Sequence, residues 1–165
     1  MSKAFRQYFG CFCAVIGYYL VHEGAHLLYA FVLGTFRQIR FLGLGIQIDV
    51  YAERMTQGEL AVFCISGAVA TAAAGYLLTA FTHRIARHPS RLLKACLYYL
   101  TIAFLFADPL YLSILCGFFG GGDMNGIALV IPEAAARCLF GCLLIANAVL
   151  FTNYILPKYR QAFSG

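Results

Sequence analysis

The stretch FGCFCAVIGYYLVHEGAHLLYAFVLG, residues 9–34, decides the fold class because it is long and almost entirely apolar. A helix needs about 20 apolar residues to cross a hydrocarbon layer of about 30 Å, so this stretch is long enough to span a membrane. Its one formally charged side chain is Glu23, which is flanked by His22 and His26. Ionisable side chains in hydrocarbon are costly unless they are paired or bind a metal, so this group requires a functional explanation.

The three polar side chains form the pattern His22-Glu23-Gly24-Ala25-His26. In an uninterrupted helix His22 and His26 share one face, because four residues advance the helix by about 400°. Their imidazoles could therefore bind one zinc ion. Glu23 lies beside that face, where it could accept a proton from water activated by the metal. The pattern predicts metal-assisted peptide hydrolysis, with Zn²⁺ as cofactor and Glu23 as catalytic base.

The composition of the whole chain is that of an integral membrane protein. Hydrophobic residues make up 62% of the sequence, charged residues only 12%, and the mean hydropathy is +0.78. We predict an all-α membrane protein, a polytopic bundle of four transmembrane helices in the cell membrane that forms a single domain over residues 1–165. The predicted spans are residues 9–34, 60–82, 92–118 and 134–156. Pro109 predicts a kink or a re-entrant turn in the third span.

The most polar part of the chain follows the first span. Apolar residues there alternate loosely around Gly43 and Gly45, at Phe36, Ile39, Phe41, Ile46, Ile48 and Val50. This pattern predicts a short β-hairpin over residues 35–52. Its exposed edge could pair with an extended substrate peptide, or the hairpin could serve only as a connection between helices.

A catalytic zinc ion needs three protein ligands and one open position, so a third ligand must come from elsewhere in the chain. Asp123 is our prediction, because it lies in a glycine-rich segment, residues 120–126, where an unwound backbone could carry it to the metal. Asp108 is the rival ligand, although its place before Pro109 also suits helix capping or support of another ligand. The remaining acidic residues lie in polar loops or at helix ends: Asp49, Glu53, Glu59 and Glu133.

Three motifs together resemble the site-2 protease family of intramembrane zinc metalloproteases. They are His22-Glu23-Gly24-Ala25-His26, the small-residue sequence Ser66-Gly67-Ala68, and GDMNG at residues 122–126. The resemblance implies a minimal form without an inserted peptide-binding domain, with His22, His26 and Asp123 as zinc ligands. The resemblance assigns no oxyanion-stabilising residue, because the family's Gly-Pro with a following Asn is absent from this chain. Asn125 is a candidate for that role. The small residues also predict close packing of the second helix against the first.

Two other functions use the same residues. A membrane metal carrier or sensor would bind metal through the same ligands without needing a base, and a b-type haem protein would use His22 or His26 as an iron ligand. The net charge of +5 comes from Lys and Arg near helix ends, which suits anionic lipid headgroups rather than nucleic acid. The predicted partners are therefore the lipid bilayer and a membrane protein or peptide substrate, with a regulatory membrane protein as a further option.

The charge distribution and the family resemblance disagree about orientation. An N-terminus inside the cell would place most cationic residues in the cytoplasm, namely Lys3, Arg6, Arg84, Arg87, Arg91, Lys94, Lys158 and Arg160. The resemblance implies the opposite orientation. In both orientations the hairpin and the Asp123 segment lie on the same side of the membrane, and we leave that side open.

Overall fold

The computed structural model of the chain describes residues 2–43, 45–120 and 122–164. Within these residues, four helices are long and apolar enough to cross a membrane: Lys3–Val32, Gln57–Ala80, Arg91–Phe118 and Glu133–Ser164. Their outer faces are apolar, since Leu20, Leu28 and Val32 of the first helix are 70%, 68% and 75% exposed. Apolar side chains exposed over such lengths are typical of lipid contact, so the structure is consistent with a multi-pass membrane protein.

The secondary structure follows the predicted order of one helix, one hairpin and three further long helices. The elements are α1 (Lys3–Val32), β1 (Phe36–Leu42), β2 (Gly45–Val50), α2 (Gln57–Ala80), α3 (Thr82–Ala86), α4 (Arg91–Leu110), α5 (Cys116–Phe119), α6 (Gly122–Ile127), α7 (Glu133–Leu150) and α8 (Leu156–Ser164). A 3₁₀ turn, Ala52–Arg54, precedes α2. Two π-helical turns, Tyr111–Leu115 and Phe151–Ile155, continue α4 into α5 and α7 into α8.

The end of α1 sets the position of the hairpin. Gly34 has φ +66°, a conformation that glycine adopts without steric cost. The N–H of Thr35 donates to the carbonyl of Ala30 at 2.9 Å, which is the long hydrogen bond of a Schellman motif.

Because α1 begins at Lys3 rather than at residue 9, His22 lies about 28 Å from the start of α1 but only about 15 Å from its end. The segment His22–His26 is therefore nearer the hairpin end of the bundle.

The predicted hairpin is present. Strands β1 and β2 pair antiparallel, with Ile39 opposite Ile48 and Phe41 opposite Ile46. The N–H of Tyr51 donates to the carbonyl of Thr35 at 2.9 Å, so this N–H points towards the first strand. Successive backbone groups alternate in direction, and those of Ile46 and Ile48 therefore point away from β1. They form the outer edge of β2.

Helices α1, α2 and α4 pack against one another, and α7 packs on α4. Their contacts are close because glycines lie between them. A Cβ atom at Gly10 would lie 2.6 Å from Cδ2 of Tyr99, and one at Gly17 would lie 2.6 Å from Cδ1 of Leu100. The predicted packing of the small-residue helix, α2, against α1 is also present, at Gly67.

Pro109 neither breaks α4 nor produces the re-entrant turn that the sequence suggested, because the helix continues through it into the π turn Tyr111–Leu115. Proline has no N–H to donate to the carbonyl four residues earlier, that of Leu105. Nδ2 of the buried Asn147 donates to this carbonyl at 2.6 Å, and Oη of Tyr76 donates to Oδ1 of Asn147 at 2.7 Å. One amide of α7 thus compensates for the proline and connects α7 to α2 and α4.

The glycine-rich segment differs from the expected unwound loop. Positive φ angles occur at Gly120 (+92°) and Gly122 (+33°), but the chain is helical over Gly122–Ile127. Helix α6 packs tightly on α2, since a Cβ atom at Gly126 would overlap Sγ of Cys64. Asp123 therefore projects from the first turn of a packed helix rather than from an irregular loop.

Candidate metal centre

The structure brings the three predicted ligands together. Nε2 of His22 lies 3.2 Å from Nε2 of His26, and Oδ2 of Asp123 lies 3.3 Å from the first and 3.6 Å from the second. In a tetrahedral site with bonds of about 2.0–2.1 Å, ligand atoms are separated by about 3.3 Å. The observed spacing therefore fits three ligands of one metal ion, and this buried group could hold such an ion.

The opposite ring nitrogen of His26 is held by the backbone of α2. Nδ1 of His26 donates to the carbonyl of Phe63 at 2.7 Å, and Oγ of Ser66 donates to the same carbonyl at 2.7 Å. A carbonyl oxygen can only accept a hydrogen bond, so the proton of His26 must be on Nδ1. This tautomer leaves the lone pair of Nε2 directed towards Asp123 and His22, as a metal ligand requires.

The opposite ring nitrogen of His22 is held by Asp108. Nδ1 of His22 lies 3.1 Å from Oδ1 of Asp108, which is only 2% exposed. The same carboxylate accepts hydrogen bonds from Oη of Tyr18, at 2.5 Å, and from Oγ1 of Thr71. Asp108 therefore contacts the side of His22 remote from Asp123. Of the roles that the sequence left open for Asp108, the geometry favours support of a ligand over ligation itself.

Gly67 provides the space in which the two imidazoles meet. A Cβ atom at this position would lie 2.7 Å from Cε1 of His22 and 2.7 Å from Nε2 of His26. Any side chain there would displace both rings. The small residue is therefore needed for the geometry of the centre as well as for helix packing.

A cavity of about 340 Å³ opens beside the three candidate ligands, and we refer to it as the metal-centre cavity. It is lined by residues of α1, of β2, of the end of the third span and of α6, including Tyr18, Tyr19, Glu23, Ile46, Gln47, Ile48, Tyr111 and Gly122. Glu23 is half-buried, and the backbone of Ile48 forms a hydrogen bond with its carboxylate. The predicted base therefore lies between the candidate metal ligands and the outer edge of β2.

A second cavity, of about 470 Å³, runs along the outer face of α1 and is almost entirely apolar. Its wall includes Val15, Ile16, Leu20, Gly24, Leu27 and Ile39. It shares Tyr19, Glu23, Ile46 and Ile48 with the metal-centre cavity. We refer to it as the apolar groove. It connects the exposed face of α1 to the candidate base.

The charge state of Asp123 suits a metal ligand. Burial alone would raise the pKa of its carboxyl group, but the neighbouring imidazoles of His22 and His26 outweigh this effect and lower the pKa to about 2. The carboxyl group is therefore ionised at neutral pH and can donate electron density to a cation.

Other polar residues named from the sequence lie outside the centre. Asn125 is exposed and does not line the metal-centre cavity, so the structure gives no support to its suggested oxyanion role. Asp49 pairs with Arg40 at 2.9 Å, as expected for an acidic residue in a polar hairpin. Glu59 accepts a hydrogen bond from the N–H of Thr56 at 2.8 Å and forms part of the capping box of α2.

Several residues of the centre were not identified from the sequence: Tyr18, Phe63, Thr71, Gln47 and Tyr111. A weak signal existed for Tyr18, which lies four residues before His22 and therefore on the same helix face. No sequence signal relates Thr71 to Asp108, because they belong to different helices and meet only through tertiary packing.

No protein-family model, curated protein or solved structure matches this chain. The likeness to the site-2 protease family therefore depends on the three motifs alone.

Proposed function

We propose that this protein is an intramembrane zinc metalloendopeptidase that hydrolyses peptide bonds in or near transmembrane segments of membrane proteins. The observation that carries the proposal is the convergence of His22, His26 and Asp123, with ligand atoms 3.2, 3.3 and 3.6 Å apart, beside a cavity that contains Glu23. Three protein ligands with one open position are the arrangement of a catalytic zinc site.

Each residue has a distinct role in this proposal. His22, His26 and Asp123 would hold the zinc ion, which when bound supplies Lewis acidity towards water and the scissile carbonyl. Glu23 accepts a proton from the attacking water while the oxygen atom of that water bonds to the carbonyl carbon. It then gives the proton to the amide nitrogen as the C–N bond breaks. Asp108 is a positioning residue that keeps His22 oriented.

The surroundings of Glu23 support a membrane-embedded peptide as substrate. The apolar groove along α1 suits the side chains of a transmembrane segment, and it reaches Glu23 from the side of the bundle. A helix hides its amides and carbonyls, so the substrate must unwind locally before cleavage. The outer edge of β2, formed at Ile46 and Ile48, could pair with the unwound strand. We expect substrates with helix-breaking residues near the cut site.

The two alternative functions differ in how well the geometry supports them. A haem iron would need one imidazole to face a planar macrocycle, whereas Nε2 of His22 and Nε2 of His26 face each other across 3.2 Å. A metal carrier or sensor would use the same three ligands, but would have no use for Glu23 beside them. The role of Glu23 therefore separates carrier from enzyme.

The substitution Glu23→Gln tests the proposal. The purified full-length protein would be reconstituted with single-pass peptides that carry a Gly-Pro or Asn-Pro pair within the span, and zinc content and cleavage would both be measured. Loss of a general base lowers rates by about 10²–10⁴-fold, so we expect cleavage to fall by that amount while one zinc ion per chain is retained. Glu53→Gln, at an exposed glutamate outside the cavity, is the matched control. Undiminished cleavage by Glu23→Gln, or no cleavage by the zinc-loaded wild type, would overturn the proposal.

A further inference from the structure

The two ends of the helix bundle differ strongly in charge. Eight of the twelve Lys and Arg residues lie at the end formed by the start of α1, by α3 and the start of α4, and by α8: Lys3, Arg6, Arg84, Arg87, Arg91, Lys94, Lys158 and Arg160. All seven acidic residues lie in the metal centre or at the hairpin end. Among the described residues, this basic end therefore carries no acidic side chain, and it suits an anionic partner.

A cavity of about 510 Å³ lies within this basic end, between α1, α4 and α8. Lys3 and Arg6 of α1 and Arg160 of α8 line it, so cationic side chains reach it from two elements. Tyr98 and Phe163 contribute an aromatic wall. The cavity thus combines donors suited to an anion with apolar surface for an attached organic group.

The walls of this cavity are held in place by contacts within the protein. The buried Lys94 of α4 donates from Nζ to the carbonyl of Ala162 at 2.9 Å and fixes the last turn of α8. Tyr159 is only 1% exposed, and its ring centroid lies 4.8 Å from that of Tyr98. The cavity therefore does not depend on a ligand to bring α4 and α8 together.

We propose that this cavity binds a phosphate group presented by an anionic phospholipid. Cationic side chains at the end of a helix bundle lie at the level of lipid headgroups, and Arg forms paired hydrogen bonds with phosphate. The aromatic wall would contact the glycerol and the first methylenes of the acyl chains. The inference rests on the proposed membrane embedding, but not on metal binding or proteolysis, since Arg6 lies about 24 Å from His22 along α1.

The test compares two double variants of the full-length protein in neutral detergent. Lys3→Gln/Arg160→Gln removes two cations that line the cavity, and Arg84→Gln/Arg87→Gln removes two from the same end outside it. Thermal melting would be followed against short-chain phosphatidic acid, phosphatidylcholine of equal chain length, and inorganic phosphate. We expect phosphatidic acid to stabilise the wild type, and its affinity to fall roughly 25-fold in the first variant but little in the second.

The other outcomes discriminate between explanations. Equal affinity loss in both double variants would overturn binding in the cavity in favour of general attraction to a basic surface. Phosphatidylcholine has a phosphate but no net charge, so equal stabilisation by it would overturn selection of an anionic phospholipid. Stabilisation by inorganic phosphate at the same concentration would support the phosphate chemistry but overturn the lipid as its source. The melting temperature of each variant without added lipid reports on an intact fold. Neither metal nor cleavage enters these measurements, so a failure of this inference is distinguishable from a failure of the proposed protease.

Discussion

Nδ1 of His22 lies 3.1 Å from Oδ1 of Asp108, so a carboxylate on α4 orients a candidate metal ligand on α1. A carboxylate in this position fixes the tautomer of a ligating histidine and increases the basicity of the nitrogen that faces the metal. Helices α1, α2 and α4 all contribute to this arrangement, since Thr71 of α2 donates to the other oxygen of Asp108. The candidate metal centre is thus supported by buried polar contacts between three helices.

Substitution of Asp108 by Asn should weaken zinc binding without removing a ligand. Loss of such a supporting carboxylate typically costs 10- to 100-fold in metal affinity, and we expect a loss of about that size. Titration with a competing chelator measures it. Unchanged zinc affinity would contradict the assigned role of Asp108.

Two threonines of α2 provide a graded comparison for the loss of zinc affinity that we expect in Asp108→Asn. Thr71→Val removes one of the donors to Asp108 and should lower zinc affinity less than Asp108→Asn does. Thr79→Val should leave zinc affinity unchanged, because Oγ1 of Thr79 donates to the carbonyl of Gly75 within its own helix. A similar loss in both threonine variants would point to general destabilisation of α2.

Substitution of Gly67 by Ala should abolish stoichiometric zinc binding. The new methyl group would lie 2.7 Å from atoms of both His22 and His26. Overpacking of this kind typically lowers the free energy of unfolding by about 1–3 kcal/mol. Gly24→Ala is the matched control, because no atom lies within 4 Å of its Cβ position. That variant should keep its zinc and gain about 0.5–1 kcal/mol in helix stability. Equal zinc content in the two variants would contradict the assigned role of Gly67.

Substitution of Gly126 by Ala should weaken metal binding from a position that contacts no ligand. Its methyl group would overlap Sγ of Cys64, which would force α6 away from α2 and move Asp123. Cys64→Ala removes that sulfur atom, so the double variant should recover part of the zinc affinity. Zinc titration of the four proteins gives the coupling. Simple additivity would show that this contact does not position Asp123.

Zinc should stabilise the folded protein and chelators should destabilise it. A metal that binds only the native state at 100 times its Kd adds about 2.7 kcal/mol to the free energy of unfolding. Asp123→Asn should lose most of the resulting shift in melting temperature. Asp49→Asn, at an acidic residue paired with Arg40 outside the centre, should retain it. A full shift in Asp123→Asn would exclude Asp123 as a ligand.

Substitution of Asn147 by Ala should destabilise the fold by about 1–2 kcal/mol, because the buried carbonyl of Leu105 would lose its hydrogen bond. Asn153→Ala, at an exposed asparagine of the π turn that follows α7, should have little effect. Pro109→Ala would restore an N–H to the Leu105 carbonyl. The cost of Asn147→Ala should therefore be smaller in that background, and denaturant unfolding of the four proteins tests this coupling.

Much of the local structure follows from short-range patterns. The apolar lengths predicted four long helices and the alternation around Gly43 predicted the hairpin, because span length and strand periodicity are properties of contiguous sequence. The spacing of His22 and His26 likewise placed both on one helix face. The helical state of residues 122–127 was not predicted, since it depends on packing of Gly126 against Cys64 rather than on local preference.

The amino-acid sequence alone determined which side chains were candidates for the metal centre and which segments were apolar enough to cross a bilayer. Only the tertiary structure placed Asp123 beside Nε2 of His22 and Asp108 beside Nδ1 of the same ring. Both are acidic residues far along the chain, and only the packing of α4 and α6 against α1 and α2 gives each its distance from His22. The same packing made Gly67 part of the centre. Contacts between residues distant in the chain depend on the relative placement of helices, which no periodicity within one helix encodes.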